Sequence, residues 1–216
     1  MAIAFDSSGT GVAETGTAIT FAHVCSGVNR ILTVGVGVNG TTDVITGVTY
    51  AGTAMTQATK QQLGAGAMSY LYFYVNPATG TNNVVVSSSA DAYLRAISSS
   101  YTGAKQTGQF DGTVSGSVAN GTIINTTITT VNDQCWNVSF AVGDQTTPFA
   151  ASSGVNSVRG THIARALGDS NSYKSPAGAY GMTWTSGTQN IGAIQVSIIP
   201  NEIDAANTLD LTSKSW

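Results

Sequence analysis

Leu32-Thr33-Val34-Gly35-Val36-Gly37-Val38 decides how the rest of this chain is read. Large apolar residues hold every second position, with threonine and glycine between them. That period of two belongs to a β-strand and to no helix. One face of the strand is a continuous apolar row, and the other is nearly bare backbone. Glycine weakens a strand standing alone, so Gly35 and Gly37 predict a bend or a neighbouring layer pressed against that face.

Outward from this stretch the same pattern recurs. Segments 17–24, 30–38, 44–50, 68–75, 83–88, 93–101, 122–129, 135–142, 158–166, 180–185 and 191–199 are short, rich in β-branched or aromatic residues, and mostly alternating. Between them lie Asn39-Gly40, Ala51-Gly52, Asn76-Pro77, Asn120-Gly121 and Ser186-Gly187, residue types that supply tight turns. Segments 62–67 and 169–178 read as loops. No stretch holds a 3.6-residue period, so the chain is predicted to be all-β, with almost no helix. So many antiparallel strands must close their edges. The predicted architecture is a two-sheet antiparallel β-sandwich, jelly-roll-like, formed by one domain over residues 1–200.

Only 9% of the 216 residues are charged, 8 Lys and Arg against 11 Asp and Glu, for a net charge of −3. An ordinary soluble domain carries about 25%. Without a Lys/Arg cluster there is no footprint for nucleic acid, whose affinity comes mainly from phosphate neutralisation. No apolar run approaches a membrane span. The N-terminal Met1-Ala-Ile-Ala-Phe-Asp6 shows neither the basic start nor the apolar run of a secretory signal. Composition of this outdoor type without an export address fits a virus structural protein, made in the host cytoplasm and exposed on the particle.

Few groups are available for chemistry. His23 and His162 both fall inside strand patterns, and a structural role is expected for each. Asp43, Asp91, Asp111, Asp133, Asp144 and Asp169 fall one at a time in turns, where their side chains bond the local backbone. Cys25 and Cys135 are expected to be unpaired, partly buried thiols. No catalytic residue, metal or cofactor is predicted. A hydrolase on this scaffold would need His162, a serine and an aspartate together in a cleft.

Two features point to interaction. In Met68-Ser-Tyr70-Leu-Tyr72-Phe-Tyr74-Val75 three tyrosines share one face. That stripe is either a platform for sugars or a partner protein, or the side of a strand covered on both faces. The second feature is residues 201–216, with four charged residues among sixteen and a terminal tryptophan. Leu209, Leu211 and Trp216 make this tail a candidate docking arm, held by its own domain or by a neighbouring subunit.

Four strings carry a resemblance. They are Gly27-Val-Asn-Arg-Ile-Leu-Thr-Val-Gly-Val36, Ile45-Thr-Gly-Val-Thr-Tyr-Ala-Gly-Thr-Ala-Met-Thr56, Tyr70-Leu-Tyr-Phe-Tyr-Val-Asn-Pro-Ala-Thr-Gly80 and Ala96-Ile-Ser-Ser-Ser-Tyr-Thr-Gly103. In that order, over roughly residues 15–200, the series resembles the β-sandwich modules of bacteriophage virion proteins and of bacterial cell-surface proteins. The resemblance implies an architecture and a setting but no active site. With no signal peptide in view, the expectation is a non-enzymatic phage head decoration (cement) protein. It would stabilise the capsid as a homo-oligomer, such as a trimer, bound to the major capsid protein. The alternative is a carbohydrate-binding or receptor-binding tail or surface module, with glycans as its ligands.

Overall fold

The computed structural model describes residues 1–11, 14–64 and 66–201, and among these there is no helix. In chain order the strands are β1 (Ala4–Thr10), β2 (Glu14–Cys25), β3 (Ile31–Asn39), β4 (Ile45–Tyr50), β5 (Thr53–Ala54), β6 (Thr56–Leu63) and β7 (Ala67–Val75). They continue as β8 (Gly80–Thr102), β9 (Phe110–Thr129), β10 (Trp136–Gly143), β11 (Ala150–Ala151), β12 (Ser157–Thr161), β13 (Arg165–Asp169) and β14 (Ala179–Ile198). All pairings are antiparallel, and the strands form the two sheets of a β-sandwich.

The chain completes one sheet before it begins the other. The first has the order β5-β4-β8-β3-β7-β6, with β1 and β2 also on β8, and the second has the order β11-β14-β10-β13-β12, with β9 on β14. Each sheet is organised by a long ribbon. From Ala4 opposite Thr102 to Cys25 opposite Gly80, β1 and then β2 accompany the whole 23-residue length of β8. In the second sheet β9 accompanies β14, from Phe110 opposite Ile198 to Thr129 opposite Ala179. Both ladders slip register partway, and each ribbon bends back over its own sheet.

These bends produce three cores in place of the usual one. The first lies inside the folded first sheet, where Leu32, Val34 and Val36 of β3 meet Phe21, Val48 and Val86. The second fills the space between sheets, with Leu71, Ile97 and Tyr101 on one side and Trp136, Phe140 and Ile194 on the other. Neither sheet can bury this face without the other, which makes the sandwich a single unit. The third lies inside the folded second sheet, where Ala141, Ala166 and Ala193 leave room for Met182 and Trp184.

The glycines of β3 obey the close-approach expectation. A Cβ on Gly35 would overlap the ring of Phe140, and one on Gly37 would overlap the side chain of Arg165. The second sheet therefore packs directly on β3 backbone.

Several boundaries differ from the sequence pattern. Segments 83–88 and 93–101 are one strand, β8, and 180–185 and 191–199 belong to a single strand, β14, up to Ile198. A bent strand exposes both faces at the bend: Ser89, Ala90 and Asp91 are all exposed, which reads as a loop. Segment 158–166 is the opposite case. It splits into the β12–β13 hairpin, whose turn holds Ile163 and Ala164 at positive φ. Strands β1 and β6 and the first half of β9 carry too few large apolar residues to show in a hydrophobic pattern.

Candidate functional site

Tyr70 and Tyr72 stand on β7 in the first core, and both are buried; Tyr74 is half-buried against the same core. On the neighbouring strand Tyr70, Tyr72 and Tyr74 stand opposite Val36, Val34 and Leu32. Tyr70 donates to Asp43 Oδ1 (2.8 Å) and Tyr72 to Gln57 Oε1 (3.1 Å). Asp43 also pairs with Lys60. Hydrogen bonds from Lys60 and Tyr70 hold the Asp43 carboxyl below its ordinary range, while burial and that carboxylate raise the Tyr70 phenol. The stripe thus seals the mouth of the first core with its polar tips. Leu209, Leu211 and Trp216, the other candidate contact residues, lie outside the described residues.

The densest polar cluster is one that the sequence reading did not assemble. His23 on β2 is buried among serines of the bent ribbon. Its Nδ1 lies 2.7 Å from Ser98 Oγ, and its Nε2 lies 3.0 Å from Ser100 Oγ and 3.2 Å from Ser7 Oγ. Ser100 donates to Asp6 Oδ2 at 2.8 Å, so its oxygen is free to accept from Nε2–H, and Ser98 then donates to Nδ1. Burial outweighs the Asp6 charge and lowers the imidazole pKa to about 4, leaving it neutral at pH 7. Serine, histidine and aspartate are all present, but the carboxylate holds a serine and not the imidazole. Ser98, Ser100 and His23 have no exposed surface for a substrate. The arrangement pins β1 and β2 onto β8.

A second buried cluster joins the sheets. Asp169, predicted as a turn residue, does accept from the Asn171 backbone (2.8 Å), but its side chain is fully buried. It also accepts from Tyr101 (2.9 Å) and from Arg159 Nε (2.6 Å) and Nη2 (3.0 Å). Arg159 in turn stacks on the Phe5 ring, 3.8 Å from its centroid. Sequence reading misplaced Asp169 because its side-chain partners are 10 and 68 residues away. Arg165 is buried as well, lying across Gly37 with Nη2 donating to Asn39 Oδ1 (2.8 Å) and Nη1 to Ala164 O (2.9 Å). Desolvation and the nearby Arg95 lower its pKa to about 9.

The remaining candidates are structural in their contacts. Asp111 accepts from the Val131 and Asn132 backbone (2.6 and 2.8 Å), and Asp144 from Asn190 N (3.0 Å), each fastening a turn. His162 sits in the β12–β13 turn, where its backbone N–H donates to Arg165 O. Cys25 and Cys135 are free and buried, and burial raises both thiols, Cys135 to about 11. Among the described residues no group of three His, Cys, Asp or Glu could hold a metal.

What stays exposed is mostly uncharged. Residues 112–132 and 175–201, which include nearly all of β9 and β14, contain no Asp, Glu, Lys or Arg. On the second half of β9 the exposed side chains are Ile123, Asn125, Thr127 and Thr129, while Ile124, Thr126 and Ile128 are buried, Ile124 in the third core. The fold defines a class, the all-β two-sheet sandwich, here with His23, Asp169 and Arg165 buried inside it. No protein-family model matches the chain, and no curated protein matches it either.

Proposed function

We propose that this chain is a non-enzymatic structural protein of a virion, a head decoration protein that acts as a homo-oligomer on the major capsid protein. The observation that carries the reading is the uncharged β9–β14 ribbon, in which β9 and the first part of β14 reach the surface while Ile191–Ile198 are buried. Ser, Thr, Asn and Gly surface can be covered by a partner without desolvating ions, so broad assembly contacts form at low cost. The inward use of His23, Asp169 and Arg165 supports the same reading, since these groups consolidate the fold. The four-string resemblance supports the phage setting, and the charged tail 201–216 is the candidate docking arm.

Imaging particles that contain the chain tests this directly, with density expected on the outer capsid surface at symmetry axes. A companion experiment truncates the chain after Asn201. The sandwich should still melt cooperatively while co-sedimentation with capsids is lost. Density elsewhere, or full capsid binding by the truncated chain, would remove the reading.

A further inference from the structure

We infer that the free edge of β9 is an interface between two copies of this chain, joined strand to strand about a two-fold axis. This rests on reading the chain as a homo-oligomer; the site itself comes from the edges of the sheets.

A sheet edge offers unpaired N–H and C=O groups to any extended chain, and proteins protect edges they do not use. Other edges among the described residues carry protection. β5 and β11 are two residues long. β6 carries Lys60 at its centre and a register break between Gln57 and Thr59. β12 is five residues long, with Arg159 in the middle and a break between Val158 and Gly160. The outer side of β2 is turned onto β1, with Val24 O taking the Ser7 hydroxyl.

Over Ile123–Thr129 β9 has none of these devices; the register shifts of its ladder with β14 lie outside that stretch. The whole strand is 20 residues long, and among the described residues it pairs only with β14. Over 121–129 its register with β14 is unbroken from Ile123 to Thr129, and the strand is Ile- and Thr-rich, which favours pairing. Ile123 is 55% exposed beside it.

A second copy is the partner that this edge fits. An antiparallel strand edge is complementary to itself under a two-fold rotation, and the absence of charge from 112 to 132 means no like charges meet. With the axis at Asn125, Ile123 of each copy lies opposite Thr127 of the other. The pair consumes both free edges, and charged, bulged β12 at the far side of the sheet blocks further growth, so the assembly closes as a dimer. Nine residues give an edge of about 30 Å. That is short for a standard interface of about 800 Å² per partner, so the dimer should depend on concentration.

The experiment measures mass by light scattering over about 1 μM to 1 mM, for the wild type, for Ile123→Lys/Thr127→Lys, and for the chain truncated after Asn201. Both lysines replace exposed side chains, and circular dichroism checks that the variant folds. Wild-type dimers, with at least a tenfold weaker dimer in the lysine variant, are expected. Hydrogen exchange of wild-type 121–129 should slow as concentration rises, a readout that needs no variant. An assembly that the lysines leave intact, or that only the truncation removes, overturns the β9 interface while keeping the homo-oligomer. A wild type that stays monomeric throughout overturns both.

Discussion

Lowering the pH from 7 to 4 should cost the wild-type protein about 3 kcal/mol more stability than it costs a His23→Asn variant. In the folded chain burial holds the His23 pKa at about 4, against 6.5 for the unperturbed side chain. Between those values the unfolded chain takes up a proton that the native site refuses. The stability is therefore fully present above pH 6.5 and is lost as pH falls to about 4. A gap of about 2.5 pH units at about 1.36 kcal/mol each gives about 3.4 kcal/mol, and half-protonation of the native site at pH 4 trims this to about 3. Asp6, 2.8 Å from Ser100 Oγ, is the carboxylate whose charge opposes the shift, and the burial effect is larger. Urea unfolding followed by tryptophan fluorescence at pH 7, 5.5 and 4 supplies the measurement. Carboxylates titrate in both proteins, so the difference between them isolates the imidazole. Parallel loss of stability in the two proteins would refute the buried neutral histidine.

Gly35→Ala should destabilise by about 1–3 kcal/mol because its methyl overlaps the Phe140 ring, and a Phe140→Leu change in the same chain should recover part of the loss in thermal melts. Asp169→Asn should cost about 2–3 kcal/mol by urea unfolding, since it removes the charge that answers the partly buried Arg159 and an acceptor for Tyr101; a loss below about 1 kcal/mol would show that the pair adds little. Cys25 and Cys135 should be inert to a thiol reagent in the native protein at pH 8 and react as two equivalents on unfolding, because both are buried with raised pKa values.

The two-sheet sandwich was legible because alternation is a local signal, strongest in β3, β7 and β10, where one face is continuously apolar. The bends were not legible. At 89–91 in β8 the side chains leave the core on both sides, and exposed Ser, Ala and Asp look the same in a bend as in a loop. Gly35 and Gly37 announced a close layer, yet the identity of that layer, Phe140 and Arg165, depends on contacts more than a hundred residues away. The histidine cluster was hidden for the same reason. Ser7, His23, Ser98 and Ser100 are unremarkable singly, and the folding back of the β1–β2–β8 ribbon is what brings them together.

Ser98-Ser99-Ser100 shows how a chain so poor in charge still specifies its packing. All three serines are fully buried at the middle of the first sheet, where a hydrophobic pattern would call for valine. Alternation sends Ser98 and Ser100 into the first core to hold His23, and Ser99 to the opposite face. There Ser99 bonds Thr33 (2.9 Å) and Tyr101 (3.1 Å), and Tyr101 passes the connection to Asp169 in the second sheet. One tripeptide thus links the bent ribbon on one side to the second sheet on the other. Directional bonds of this kind penalise any slip of β8, because a one-residue shift would exchange the two faces and strand His23 and Asp169 without partners. With register set from inside by hydroxyls, the surface needs few charges to choose among alternatives. That leaves the exposed length of β9 free of charge.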